Sequence, residues 1–243
     1  VMPHGMLDPY FQKARSRKFK ALRNWLYWKL IERKLIHKAD AIIFTCEQEL
    51  LLARDTFYPY SPAKELNLGY GIPEPSTYAL AMSESFFKKC PEVKEKHYLL
   101  FLSRIHEKKG VDLLIQAYLR LKEEYLEKDL PLLVIAGPGT ETVYGLQMKQ
   151  LVVNNPLLEN NVFFPGMLIG AAKWGAFYEC DAFVLPSHQE NFGIAIVEAL
   201  ACAKPVLISK KVNIWKEIES FGGGFVSEDN QLGVEGLLKK WLL

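Results

Sequence analysis

From Tyr98 to Ser209 the chain alternates short, continuous apolar runs with amphipathic stretches of helical period, and this alternation restricts its fold more than any other feature. The apolar runs are Tyr98–Ser103, Leu132–Ala136, Val162–Phe164, Ala182–Pro186 and Pro205–Ser209. Helical patterning lies between them, over Val111 to about Leu126, Tyr144–Asn154, Ala171–Cys180 and about Gly193–Ala203. Strands without a polar face need cover on both sides, which predicts an α/β fold: a parallel sheet with helices on both faces. Ligands bind such sheets at the carboxyl ends of the strands. The loops after Ser103, Ala136, Phe164 and Pro186 are therefore the ones to search.

The residues before Tyr98 read differently. A long basic amphipathic helix is expected over roughly Phe11–His37, then a strand at Asp40–Thr45, a helix from Glu47 to about Phe57, and a strand at Leu66–Gly71. Ile-Pro-Glu-Pro-Ser, Cys-Pro-Glu and a cluster of lysines in residues 73–97 point to an exposed linker. The expected organisation is a partial amino-terminal Rossmann-like domain at 1–72, a linker at 73–96 and a second, nearly complete domain at 97–243. Both ends read as cut. The chain opens on Val-Met-Pro-His-Gly, like a strand running into a loop, and stops at Leu-Lys-Lys-Trp-Leu-Leu inside a helix with no cap.

Two loops carry most of the chemistry. In Ser103-Arg104-Ile-His-Glu-Lys-Lys109-Gly110, two cations stand at either end of a strand-to-helix turn, where they could clamp a diphosphate. The plainer alternative is a solvated basic loop. In Glu190-Asn191-Phe192-Gly193-Ile194-Ala-Ile-Val-Glu198, Glu198 is the one charge in the apolar run from Ile194 to Ala203. A carboxylate packed against a sheet is costly unless something hydrogen-bonds it. The two adjacent hydroxyls of a ribose would do so. Gly193 opens the helix, where free amides and the helix dipole suit phosphate oxygens, and Glu190 precedes the turn, where it could hold a sugar. The alternative pairs Glu198 with a lysine and leaves Glu190 on the surface. A third loop, Ala136-Gly137-Pro138-Gly139, invites a dinucleotide reading. It fails, because Thr142 stands where a third glycine is needed, and a turn admitting a ligand or another loop closely is preferred.

Composition narrows the classes further. No apolar run approaches the ~18 residues of a membrane span. Four scattered cysteines and five scattered histidines form neither a disulfide framework nor a metal-ligand pair, and they fit a reducing, cytoplasmic compartment. Between residues 11 and 38 stand ten basic residues and one acid, Glu32, together with Phe19, Trp25, Tyr27 and Trp28. Such a segment suits an anionic membrane surface at the inner face, or else a solvated helix whose aromatics pack on the adjoining sheet. Nucleic-acid binding is disfavoured, because no recognised module accompanies the patch.

Ser-Arg-Ile-His-Glu-Lys-Lys-Gly, Ala-Gly-Pro-Gly, Phe-Phe-Pro-Gly-Met-Leu and the E-x7-E segment Glu190–Glu198 resemble, in this order and spacing, the family-4 retaining glycosyltransferases. The match covers residues 97–230, and Pro3-His4-Gly5-Met6-Leu7-Asp8 and Gly69-Tyr-Gly-Ile-Pro resemble the same family. The resemblance implies a GT-B fold, with an active site in the cleft between two Rossmann-like domains. It also implies retaining, metal-independent transfer of a hexose from a UDP-, GDP- or ADP-linked sugar to a saccharide or lipid-linked acceptor. No D-x-D triplet of metal-dependent transferases is present. By matching position, Arg104 and Lys109 would neutralise the diphosphate, Glu198 bind the ribose and Glu190 the transferred sugar. Asn191, Phe192, Gly193, Ile194 and Gly139 would line the donor, Met167 would lie near the base, and His4 would reach toward the donor sugar. The amino-terminal glycine-rich loop, most of the acceptor domain and the final crossing helix of the family are missing, so weak or absent turnover is expected. No cofactor is expected. The competing readings are a GT-B relative of other chemistry, an epimerase or phosphorylase, and a non-catalytic nucleotide-binding module.

Overall fold

The computed structural model describes residues 1–13 and 18–242. The chain divides into two compact units: Val1–Gly71 together with Gln189–Phe192, and Ile72–His188 together with the residues from Gly193 onward.

The first unit contains α1 (Tyr10–Lys13), α2 (Lys18–Tyr27), a π-helical turn at Trp28–Glu32, α3 (Arg33–Lys38), β1 (Ile42–Phe44), α4 (Glu47–Thr56) and β2 (Glu65–Asn67). The single long helix expected from Phe11 is instead a separate short turn, α1, and a helix that runs from Lys18 to Lys38 through the π turn. The cations Arg15 and Arg17 lie outside the described residues. β1 and β2 pair in parallel, Ile42 opposite Glu65. Ile42 and Phe44 point into a core completed by Leu7, Trp28, Ile36, Ala53 and Phe57. Trp28 is the anchor: its indole stacks on Phe57 with ring centres 4.7 Å apart, and an aromatic of that size dominates a small core. α4 begins without a side-chain cap from Cys46. Glu49, at its third position, reaches back past the cap to accept from the Thr45 amide at 2.8 Å.

The second unit is built on a six-stranded parallel sheet. In chain order it comprises α5 (Leu80–Phe87), β3 (Tyr98–Leu102), α6 (Val111–Glu124), β4 (Leu132–Ala136), α7 (Val143–Val153), α8 (Pro156–Glu159), β5 (Val162–Gly166), α9 (Gly170–Glu179), β6 (Ala182–Leu185), α10 (Ile194–Ala201), β7 (Val206–Ser209), α11 (Trp215–Ser220), β8 (Gly224–Ser227) and α12 (Gln231–Leu242). The strands lie in the order β5-β4-β3-β6-β7-β8, all parallel. β4, β6 and β7 are buried along their whole length, and the edge strands β5 and β8 only in part. That gradient is why the central strands read as unbroken apolar runs. From β3 the chain winds out to β4 and β5; from β6 it winds the other way, to β7 and β8. The direction reverses between β3 and β6, which makes their carboxyl ends the topological switch point where open α/β sheets bind ligands.

The stretch 73–96 is not the exposed linker that its composition suggested. α5 packs along α9, and the approach is so close that a Cβ on Gly175 would lie 2.2 Å from the Met82 carbonyl oxygen. Phe86, Cys90 and Val93 are buried, and Phe86 lies against Tyr98. Lys88, Lys89 and Lys94 are exposed on the other side. Three apolar anchors at irregular spacing among prolines and lysines carry too little periodic signal to be read as a packed helix.

Candidate functional site

At the switch point two loops are stitched together by backbone. After β3, residues Glu107–Lys109 make a single 3-10 turn, capped by His106 Nδ1, which accepts from the Lys108 amide at 3.1 Å. Gly110 then takes the left-handed conformation, φ 67°, and starts α6. Glycine is required there for its φ and for space, since a Cβ would lie 2.3 Å from the Pro186 carbonyl oxygen in the loop after β6. Next to that contact the His188 amide donates to the Lys108 carbonyl at 2.9 Å. The two expected cations thus lie in one loop, Lys109 at the end of the 3-10 turn and Arg104 ahead of it. Lys109 is buried, with 8% exposure, whereas Arg104 is exposed.

The Gly-Pro-Gly turn serves close approach by a neighbouring loop. The Ile105 amide donates to the Pro138 carbonyl at 2.8 Å, and a Cβ on Gly139 would lie 2.7 Å from the Ile105 carbonyl oxygen. Gly139 therefore lines the β3 loop directly. Thr142, where a dinucleotide site would need glycine, caps α7 by accepting from the Gly145 amide at 3.1 Å. Met167 follows β5 with 62% of its surface exposed, while Leu168 beside it is buried.

Gly193 is buried in the left-handed region, φ 76°, and its carbonyl accepts from Ile196 and Val197 to begin α10. The amides of Ile194 and Ala195 precede the first intrahelical bond, as at any helix start. Ile194 is exposed. One and a half turns on, Glu198 is partnered by Lys173 of α9, with Nζ 2.8 Å from Oε1 and side-chain exposures of 23% for the lysine and 14% for the glutamate. Lys173 also lies over the Trp174 ring at 4.2 Å. The lone carboxylate in an apolar helix therefore has a protein partner, as the second reading of the sequence allowed. Lys173 was missed, although a lone cation in the apolar helix Gly170–Glu179 was a visible signal.

The remaining expected residues gather in the first unit. His4 and Gly5 form a turn with both residues at positive φ, 48° and 78°. The exposed His4 ring meets the edge of Tyr70 at 6.0 Å, and Tyr70 meets Phe192 at 5.5 Å. Asn191 Nδ2 donates to Thr45 Oγ1 at 3.2 Å, and a Cβ on Gly5 would lie 3.0 Å from the Asn191 side chain. Gln189 Nε2 donates to the buried Asp8 carboxylate at 3.0 Å. The half-buried Glu190 sits between these two ties. Sequence reasoning passed over Tyr70, Thr45, Gln189 and Glu49. Among the described residues, no group of three or more His, Cys, Asp or Glu could hold a metal ion, and no helix is long and apolar enough to cross a membrane.

Residues 82–241 match the family model described as Glycosyl transferases group 1. A D-inositol 3-phosphate glycosyltransferase of Kineococcus radiotolerans is 29% identical over 180 residues, 72% of this chain and 41% of that protein. This chain thus spans about two-fifths of the relative's length. Among solved structures, the sucrose-phosphate synthase of Thermosynechococcus elongatus superposes with a TM-score of 0.75 at 18% identity, over 98% of this chain and 56% of that one. HepE of Anabaena, solved in complex with UDP-glucose, gives a TM-score of 0.73 at 18% identity, over 98% of this chain and 61% of that one. The expected α/β fold of the GT-B type holds.

Proposed function

This chain belongs to the Glycosyl transferases group 1 family, and we propose that it takes a nucleotide sugar as donor and serves transfer of a hexose, with retention and without a metal, to a saccharide or lipid-linked acceptor. The observation that carries this reading is the switch point, where the loop after β3 carries both Arg104 and Lys109 and is stitched at Lys108 to the loop that leads into α10. Bond cleavage in a sugar donor places negative charge on the departing diphosphate. Cations fixed in place before the reaction stabilise that charge without reorganising, and Lys109, being largely shielded from water, acts more strongly than an exposed lysine. The Ile194 and Ala195 amides at the start of α10 add donors for phosphate oxygens.

Glu198 binds the ribose hydroxyls while its other interaction, with Lys173, holds the carboxylate in place. Glu190, Asn191, Phe192 and His4 serve the transferred sugar; Met167 and Gly139 lie toward the base and its phosphates. A UDP-glucose complex of a protein of the same fold supports a donor of this class. Titration calorimetry against UDP, GDP and ADP without metal tests the reading. One diphosphate should bind, and Glu198→Ala should weaken it more than tenfold; no binding by any of the three would overturn the donor site. Product analysis with the hexose donor separates transfer from epimerisation or phosphorolysis.

A second reading concerns the helix from Lys18 to Lys38. Phe19, Leu22, Trp25, Leu26 and Leu30 are exposed beside Lys20, Arg23 and Lys29, and Lys29 Nζ lies 5.1 Å over the Trp25 ring. Exposed aromatics among cations suit the interface of an anionic bilayer, which would place the protein peripherally at the cytoplasmic face. Sedimentation with anionic but not neutral vesicles is the expected result, and equal sedimentation with both would remove the idea.

A further inference from the structure

We propose that Glu49 is a positioning residue: its buried carboxylate holds the His4–Gly5 turn and, through Thr45, the Asn191 side chain. The proposal rests on the reading above, in which His4 and the Glu190–Phe192 loop serve the donor sugar.

Glu49 is 3% exposed and receives three hydrogen bonds. Oε1 accepts from the Gly5 amide at 2.5 Å, and Oε2 accepts from the Thr45 amide at 2.8 Å and the Thr45 hydroxyl at 2.6 Å. All three partners are donors, so the site demands an acceptor on both oxygens. A carboxylate meets that demand, whereas a carboxamide would face one of the N–H groups with its own NH2. The Thr45 hydroxyl has one proton, and Glu49 takes it. Its oxygen can then only accept, which matches the bond from Asn191 Nδ2 at 3.2 Å and fixes which way that amide points.

The turn being held is unusual. His4 is a non-glycine residue with φ 48°, followed by Gly5 at φ 78°. Such pairs persist only where their surroundings over-determine them, and the bond from Gly5 to Glu49 spans 44 residues of sequence. The tie between Asp8 and Gln189 fastens the other side of the same loop. His4 itself is exposed at the tip, so the rigid part of the arrangement lies behind the group that would act.

Two variants of this chain test the assignment, with Glu198→Ala as the control for the donor reading. Glu49→Gln is isosteric but cannot satisfy the three donors; Thr45→Val removes the hydroxyl, and with it the link to Asn191 and one bond to Oε2, while the Gly5 and Thr45 amides keep theirs to the carboxylate. Affinities are measured by calorimetry for whichever of UDP, GDP and ADP binds and for its glucose conjugate, alongside the Gly5 amide resonance. In Glu49→Gln the Gly5 amide proton should move upfield and affinity for the nucleotide sugar should fall about tenfold, with the free diphosphate bound within about twofold of wild type. Thr45→Val should give a smaller loss of the same selective kind, with the Gly5 resonance unmoved. If Glu49→Gln binds both ligands as wild type does, or weakens both in parallel, Glu49 only supports the fold and the proposal fails while the donor site stands. If the diphosphate does not bind, or if Glu198→Ala leaves its affinity unchanged, the donor reading fails and carries this proposal down with it.

Discussion

The loops at the carboxyl edge of the large sheet and the His4–Asp8 turn of the first unit both carry residues assigned to the donor, yet they are held by different means. At the sheet edge the agents are backbone: strand order, a carbonyl packed against Gly110, and an amide bond from His188 to Lys108. In the first unit they are buried carboxylates, Glu49 and Asp8, each meeting donors from distant parts of the chain. A site built on glycines and strand ends tolerates change in its side chains but not in its backbone. One built on buried carboxylates has the reverse sensitivity.

That contrast can be broken in several ways, beginning with the sheet. Phe183 on β6 is fully buried against Phe177, so Phe183→Ala should cost about 3–5 kcal/mol in urea denaturation and take nucleotide binding with it. Gly110→Ala should follow at about 2–3 kcal/mol, because the new methyl meets a carbonyl that cannot move aside and φ 67° is strained for alanine. A wild-type melting temperature for that variant would show that the backbone stitch is not what holds the two loops. The Lys173–Glu198 pair then separates structural from ligand-binding roles. Lys173→Met should lower stability by about 1–2 kcal/mol while diphosphate affinity stays within a few-fold. Glu198→Gln, which keeps an acceptor for Lys173, should do the opposite, nearly preserving stability and losing affinity. If the two variants behave alike, Glu198 is a structural partner only.

The smallest effect lies at the far end of the sheet. His97 Nδ1 is 3.0 Å from Asp181 Oδ1 on the exposed surface, and this hydrogen bond, aided by the charge of the carboxylate, raises the imidazole pKa. Because the folded value lies above the unfolded one, any stabilisation is present at acidic pH and fades as pH rises through the folded value. An NMR titration should place the His97 midpoint above the usual ~6.5, and Asp181→Asn should return it there.

Much of the second unit was legible from residue order alone. Leu132–Ala136 reads as a strand and is one, and the helices at Val111, Val143, Gly170 and Ile194 begin within one residue of expectation. Burial on both faces leaves a local signature, an apolar run bounded by loops, that needs no knowledge of the neighbours. α5 left no such signature, since Phe86 packs against Tyr98 of β3 and the helix lies along α9, partners that no local pattern reveals. At the candidate site, Arg104, Lys109, Gly193 and Glu198 were legible because a strand-to-helix turn and a lone charge are local facts. Glu49 was not. Glu47 and Glu49 stand in the same first turn of α4, and only the packed chain turns the second inward toward Gly5.

By itself, then, the sequence determined the alternation of strand and helix, the loops that carry cations and glycines, and the helix start at Gly193, since each depends on residues within a few positions of one another. Tertiary structure alone decided the strand order that puts the β3 and β6 loops at one switch point. It also decided the partners of the buried charges: Lys173 for Glu198 across 25 residues, and Gly5 for Glu49 across 44. Those pairings are chosen by which donors desolvation leaves within reach of a carboxylate once the chain has closed, and that choice is made between segments, not within them.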